Sequence, residues 1–265
     1  MIDERDGEGR RAGFDALVAA HTPALLRYAL TLTGDPARAE DAVSETVLRA
    51  LERRDQFRGE ASLKTWLHQI LHNLVIDRAR RHARELSVSE VEDHWRDGSY
   101  TVDPAIVAER AAERAELQDA LLRLPFTHRV VVVLHDAEGW RLPEITALLG
   151  IGLPAAKQRL RRGRMMLVSA LAEGQERHMA NEGVPLSCWQ ARGSVSDYID
   201  GGLGSAERSR LEAHLAGCAT CPPLYVGLLG VRASLGKLRD PDSVIPPQLA
   251  ERIRARLEAN PQAGS

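Results

Sequence analysis

Between Leu142 and Arg164 the sequence runs LPEITALLGIGLPAAKQRLRRGR, two apolar stripes of helical period parted by a glycine. Ile145, Leu148 and Leu149 stripe the first segment, and Leu153, Ala156, Leu160 and Leu167 the second. Gly150 supplies the permissive backbone that a tight turn between helices needs. The pattern predicts a helix-turn-helix. A helix advances about 100° per residue, which turns Gln158, Arg161, Arg162 and Met165 away from the stripe and sets Ala155 and Lys157 on its flanks. The second helix also carries Arg159 and Arg164. Such a face suits a DNA major groove, where arginine can read guanine bidentately while lysine and the remaining arginines hold phosphates. A solvated basic helix would carry the same charges, so the glycine turn and the paired stripes are what favour DNA.

The net charge of −2 excludes a uniformly basic nucleic-acid coat, so DNA binding has to come from local clusters. At 265 residues and 44% hydrophobic content the chain can form more than one core, and two or three modules are expected. Aromatic residues are scarce and helix formers abundant, which points to an all-α chain held by aliphatic packing. The N-terminus, MIDERDGEGRR, has no apolar core, and no run of about 18 apolar residues follows. A soluble, cytoplasmic protein with no membrane partner is the expectation. In a reducing compartment three cysteines do not make a disulfide framework, which leaves a metal site or inert burial.

A first module is expected over residues 13–84. Phe14, Leu17, Val18, His21, Leu25, Tyr28 and Leu32 recur at helical steps in a helix bent at Pro23. Asp35 and Pro36 open the next helix, striped by Ala39, Ala42, Val43, Thr46, Val47 and Ala50. Glu40, Asp41 and Glu45 lie off that stripe, and spacing alone makes them a solvated surface. The segment 55–62 has no period. It precedes a helix with Leu67, Ile70, Leu71 and Leu74 inside, Asn73 outside and a basic end, Arg78, Arg80, Arg81 and Arg84, suited to phosphates. Trp66 could stack on a base or join the core. His68 and His72 stand one turn apart, but with no third ligand nearby solvent-exposed histidines are expected. Residues 85–108 are polar and acidic and are taken as a linker, with helical period resuming over 109–172; the β-rich run Val130–Leu134 falls inside that helical unit.

After a second polar span, 173–185, a third module over 186–265 holds every cysteine. Cys188 is followed by His214, Cys218 and Cys221, a C…H-x3-C-x2-C arrangement. His214 and Cys218 share one helix face, Cys221 closes from the next turn and Cys188 arrives from an earlier segment, which satisfies tetrahedral Zn²⁺. Four protein ligands leave no open position for water, so the metal is expected to be structural, worth on the order of 10–16 kcal/mol of binding energy, and no catalytic residue is expected. Leu224, Leu228, Leu235 and Leu238 stripe a further helix, and Leu249, Ile253 and Leu257 a last one after Pro246-Pro247.

Phe14-Asp15-Ala16-Leu17, Leu32-Thr33-Gly34-Asp35, Ala39-Glu40-Asp41, Trp66-Leu67, Ile70 and Asn73, then Leu124-Pro125, Arg129, Glu144-Ile145, Lys157 and Arg162, together resemble the extracytoplasmic-function group of bacterial RNA polymerase sigma factors. The resemblance spans about residues 13–172. It implies a first domain (13–84) that binds the polymerase clamp through Glu40, Asp41 and Glu45 and melts the minus-ten element. The loop 55–62 with Asn73 would then hold a flipped base, and Arg78, Arg80 and Arg81 would hold phosphates. It also implies a second domain (109–172) that reads the minus-35 element with Lys157, Gln158, Arg161, Arg162 and Arg164. Ser44 stands where the group commonly has glutamine, so the strength of the clamp contact is expected to differ, and Pro154-Ala155 stand where Gly and Thr are frequent, so promoter preference is expected to differ. Ser196 to Leu203 and Glu212-Ala213-His214-Leu215 are similar to zinc-binding anti-sigma domains, here fused in cis, which implies intramolecular contacts that restrain the sigma portion, the rival being an activating or sensing accessory domain. The partners implied are core RNA polymerase and promoter DNA. The alternative is a stand-alone helix-turn-helix regulator with a zinc sensory domain, which leaves the first module unexplained.

Overall fold

The structure, a computed structural model, describes residues 3–59, 61–78, 85–173, 177–178 and 186–238; for 3–12, 77, 78, 177 and 178 it describes the backbone alone. By its internal contacts the chain divides into two compact units, one built on residues 1–80 and the other on 81–146 and 151–237; the short stretch 147–150 groups with the first. The described residues are overwhelmingly helical, as an all-α chain requires. No single helix among them is long and apolar enough to cross a membrane.

The first unit packs three helices, α1 (Asp3–Thr33), α2 (Pro36–Glu52) and α3 (Leu63–Arg78), with a 3-10 turn at Arg54–Gln56. Asp35 caps α2 by accepting from the amides of Ala37 and Arg38 at 2.9 and 3.1 Å, and Gly34, at φ 65°, makes the turn before it. Val18, Leu25, Leu32, Ala39, Val43, Val47, Leu67 and Leu71 fill the core. Leu17, expected in the stripe, is 55% exposed. His68 and His72, expected in solvent, are both buried. They share the inward face of α3 with Leu71, and the His68 ring lies 5.3 Å from that of Tyr28 while its Nδ1 meets the Lys64 carbonyl at 2.8 Å. Burial pushes the His68 pKa down to about 4. The pair is a piece of neutral core; an i,i+4 spacing fixes the shared face but not which way that face points.

The second unit begins where a linker was expected. Residues 85–108 carry α4 (Val88–Arg96), the two-residue strand β1 (Tyr100–Thr101) and the start of α5 (Pro104–Ala112). Ser87 caps α4, Asp103 caps α5, and Pro104 pre-sets the first turn of α5. Val91 and Trp95, four residues apart, bury one face of α4, and the Trp95 indole donates to Ser169 Oγ at 3.0 Å. A polar, acidic stretch thus folds on a few large apolar side chains, too sparse to register against its composition.

Then come α6 (Arg114–Leu122), α7 (Phe126–Val132) running into a π turn at Val133–Ala137, α8 (Leu142–Leu149) and α9 (Leu153–Ala172). The β-rich run Val130–Leu134 is helical and fully buried. β2 (Arg177–His178) pairs antiparallel with β1. The chain continues as α10 (Cys188–Ile199), α11 (Ser205–Gly217) and α12 (Cys221–Lys237). α12 packs on α5 through small residues: a Cβ at Gly230 would meet Ala108 at 3.4 Å. The predicted helix with Leu249, Ile253 and Leu257 lies outside the described residues.

Candidate DNA-reading helix and metal centre

Gly150, at φ 63°, makes the turn between α8 and α9 as the sequence predicts, and Pro154 occupies the first turn of α9. Ile145, Leu148, Ala156, Leu160 and Leu167 are buried; Leu153, at the first position of α9, is 45% exposed. α9 crosses α7 so closely that a Cβ at Gly163 would lie 2.5 Å from Val132 Cγ2.

Lys157, Arg161, Arg162 and Arg164 of α9 are engaged by acids of the second unit. Arg162 donates from Nε and Nη2 to the two oxygens of Glu92 at 2.7 and 3.2 Å, and Arg161 Nη2 lies 3.7 Å from the same carboxylate. Arg161 also lies over the Trp189 ring at 5.1 Å, with Arg96 at 5.0 Å from that ring. Lys157 Nζ is 3.3 Å from Asp197. Gln158 is exposed. Met165, expected on the outward face, and Arg164, expected as a DNA contact, are both buried. Arg164 donates to Asp136 at 3.0 and 2.7 Å, to Asp200 twice at 3.0 Å and to Ser196 Oγ at 2.7 Å. The departure has a plain cause: besides α7, the helices α4, α5, α6, α10 and α12 pack on α9, and Arg164 is enclosed by Asp136 of the π turn and by Ser196 and Asp200 at the end of α10. Burial alone would raise the Asp136 carboxyl, but the hydrogen bonds of His135 and Arg164 overcome it and hold the pKa down to about 2.

Cys188, His214, Cys218 and Cys221 are all buried, with their ligand atoms within 4.8 Å of one another. Cys188 Sγ stands 3.8 Å from Cys218 Sγ, well beyond disulfide bonding distance. Zn–S bonds of about 2.3 Å in a tetrahedron set their sulphurs about 3.8 Å apart, so the spacing fits. Neither ring nitrogen of the buried His214 has a hydrogen-bond partner of good geometry, which a ligand role would explain. Burial lowers its pKa, and the nearby Leu186 backbone opposes this, so the ring is held in the neutral form a metal needs. The amides of Thr220 and Cys221 donate to Cys218 Sγ at 3.4 and 3.3 Å, contacts that favour a thiolate.

One residue of this centre escaped sequence reasoning. Arg192, 2% exposed on α10, donates from Nε to Cys221 Sγ at 3.3 Å. Its Nη1 donates to the carbonyls of Trp95 and Asp97 at 2.7 and 2.8 Å, and its Nη2 to Tyr100 O at 2.7 Å and Thr220 Oγ1 at 3.1 Å. Its place four residues after Cys188, on the same helix face, was the only signal.

In the first unit Asp41 is exposed, Glu40 and Glu45 are half-buried, and Glu45 accepts from Arg49 at 2.8 Å. Asn73 is exposed on α3. Trp66 is half-buried, its ring 5.4 Å from Phe57 and 6.4 Å from Phe14, so the aperiodic loop is anchored by aromatic packing. Arg80, Arg81 and Arg84 lie outside the described residues, as do the side chains of Arg78 and His178.

Residues 17–85 match the family model "Sigma-70 region 2", residues 114–167 match "Sigma-70, region 4", and residues 188–221 match a family described as "Putative zinc-finger". The chain is 32% identical over 173 residues to the ECF RNA polymerase sigma factor SigE of Mycolicibacterium smegmatis, covering 65% of this chain and 67% of that one. It is 36% identical over 146 residues to the ECF RNA polymerase sigma factor SigL of Mycobacterium tuberculosis, covering 55% of this chain and 81% of that one. A solved structure, the sigma factor RpoE in complex with the anti-sigma factor NepR from Bartonella quintana, matches at 27% identity and a TM-score of 0.46, covering 62% of this chain and 99% of that chain. The protein described above belongs to the extracytoplasmic-function family of RNA polymerase sigma factors, with an anti-sigma-like zinc-finger segment fused behind its region 4.

Proposed function

We propose that this sigma factor restrains its own promoter binding through the fused zinc-finger segment. The observation that carries the reading is the pairing of Lys157 with Asp197 and of Arg164 with Asp200, which sets acids of the third segment on the helix meant for the minus-35 element. A tethered partner acts at an effective concentration that reaches millimolar, so individually weak ion pairs suffice to keep the helix covered. On release, Lys157, Gln158, Arg161 and Arg162 meet the major groove, arginines reading bases and lysine a phosphate. Arg164 stays in the fold as the buried partner of Asp136.

In the same proposal Glu40, Asp41 and Glu45 of α2 face the polymerase clamp. The loop after α2, with Asn73, receives a base flipped from the melted minus-ten element, and Arg78, Arg80 and Arg81 hold its phosphates. Binding alone supplies the few kcal/mol that unstacking a base costs, so no nucleotide need be hydrolysed. Cys188, His214, Cys218 and Cys221 hold a structural Zn²⁺. A metal held there would tie the start of α10 to the end of α11 and the start of α12, and so support α10, which carries Asp197 and ends at Asp200.

The test is run-off transcription with core polymerase, comparing the native chain with an Asp197→Asn/Asp200→Asn double variant. Several-fold more promoter-specific transcript from the variant is expected. Equal or lower output would remove the case for restraint by this segment.

A further inference from the structure

We infer that α4 is a built-in stand-in for the DNA backbone on the recognition helix, and that Arg192 ties its seating to the metal centre. The inference rests on the assignment of α9 as the helix that meets duplex DNA, but not on Asp197 or Asp200.

Glu92 lies outside the zinc-finger segment, between the two sigma regions. Its side chain is 9% exposed and takes a bidentate bond from Arg162 at 2.7 and 3.2 Å, with Arg161 at 3.7 Å. A carboxylate gripped by a guanidinium fork has the geometry that the same fork uses on a phosphate. One acid therefore occupies two cations of the reading face. Val91 and Trp95 bury the adjacent face of α4 on its neighbours, so Glu92 is held by packing and not by charge alone.

The same segment is wrapped onto the metal centre. Arg192 accounts for both of its Nη groups on the carbonyls of Trp95, Asp97 and Tyr100 and on Thr220 Oγ1, and aims Nε at Cys221 Sγ. Thr220, between two ligand cysteines, donates to Gly98 O at 3.0 Å, and its own carbonyl accepts from Thr101 Oγ1 at 3.0 Å. The ring of Trp189, next to Cys188, meets the guanidinium carbons of Arg96 of α4 and Arg161 of α9 at 5.0 and 5.1 Å. A divalent ion with three thiolates and a neutral imidazole carries one net negative charge, the counter-charge that a guanidinium only 2% exposed requires. Arg192 thus spans from the metal ligands to the C-terminal end of α4. The loaded centre holds Arg192, Arg192 holds α4, and Glu92 holds Arg161 and Arg162.

The experiment uses the full chain loaded with zinc and a duplex of about 20 base pairs, with affinity measured across a salt series, zinc content measured by chelator dye, and amide exchange followed over residues 88–101. Glu92→Gln is expected to keep its zinc and to steepen the slope of log K against log salt by about 1.8, since each phosphate newly held contributes about 0.9. Arg192→Gln is expected to keep its zinc, to steepen the slope similarly and to exchange the amides of 95–101 at least tenfold faster. A native slope in Glu92→Gln overturns the DNA stand-in, and native amide protection in a zinc-loaded Arg192→Gln overturns the coupling. If Arg192→Gln does not fold, Arg192→Lys, which keeps the charge but cannot bridge three carbonyls, is read by the same two outcomes. A steeper slope in Glu92→Gln beside unchanged transcription from Asp197→Asn/Asp200→Asn would remove restraint by the zinc-finger segment and leave this inference standing; the reverse pair of results would do the opposite.

Discussion

On the proposed function two helices meet large charged partners, and they keep their charges in different ways. α2 leaves Asp41 in solvent and pairs Glu45 with Arg49 of its own helix. α9 has Lys157, Arg161, Arg162 and Arg164 engaged by Asp197, Glu92, Asp136 and Asp200, all from other elements of its unit. An exposed pair within one helix is worth a few tenths of a kcal/mol and yields easily to a partner. Acids brought from elsewhere must be moved away bodily before DNA can take their place. On the proposed function, the difference puts restraint at α9 and leaves α2 ready.

The comparison breaks most sharply on metal removal. With structural zinc contributing on the order of 10–16 kcal/mol, chelation or Cys218→Ser is expected to abolish amide protection over residues 188–221 and leave α1, α2 and α3 protected. Amide exchange read by mass spectrometry checks it, and equal loss in both units would contradict a metal that supports the second alone. Next in size is Asp136→Ala. Removing one partner of a buried ion pair costs about 3–5 kcal/mol, and Asp200 would retain part of the interaction. A drop of several degrees in the melting temperature of the second unit is expected, with the first unchanged.

How far this division could be foreseen from sequence depends on the kind of signal. The cap Asp35, the glycine turn at 150 and the four-ligand spacing are local, and they formed where they were expected. What failed were judgements about which way a face points. His68 sits at an inward register that only the packing of α1 decides. Arg164 looked like one more basic contact because nothing in a stripe reveals a second covering layer. Glu92 and Arg192 were invisible for a related reason. Each acts across 70 to 97 residues of sequence, on the partners Arg162 and Trp95, and neither sits in a motif.

Acid should weaken both units, but unequally. The folded pKa of His68, about 4, lies below its ordinary 6.5, so the unfolded chain binds more protons between those values. Stability in the first unit is therefore full above pH 6.5 and falls as pH drops toward 4, by roughly 3 kcal/mol at most. His128 of the second unit is also held down to about 4, by burial and then by Arg162 and Arg159, but its more solvated ring discounts the effect. Asp136, held at about 2, stays ionised through this window and loses its contribution only as pH falls from about 3.8 toward 2. Denaturant midpoints between pH 7 and 4 for the native chain and His68→Leu check the sign: the variant should lose most of the first unit's dependence. Smaller still is Gly163→Ala, where a methyl 2.5 Å from Val132 Cγ2 forces α7 and α9 apart, at about 1–3 kcal/mol against the modest gain of alanine in a helix. A rise in stability would mean that Val132 rotates away at no cost.

The smallest effect on folding belongs to Asp41. It is exposed and its backbone is held by an intact helix, so Asp41→Asn should change stability by less than about 0.5 kcal/mol. Its effect should appear when core polymerase is added. If α2 presents its acids to the clamp, the variant binds core several-fold more weakly, and the loss shrinks with rising salt because the contact is electrostatic. Duplex binding by the protein alone should stay at the native level, since the cations of α9 remain covered by acids that the substitution does not touch. A variant that bound core normally but gained duplex affinity would reverse the assignment, making α2 part of the restraint and α9 no longer its sole target.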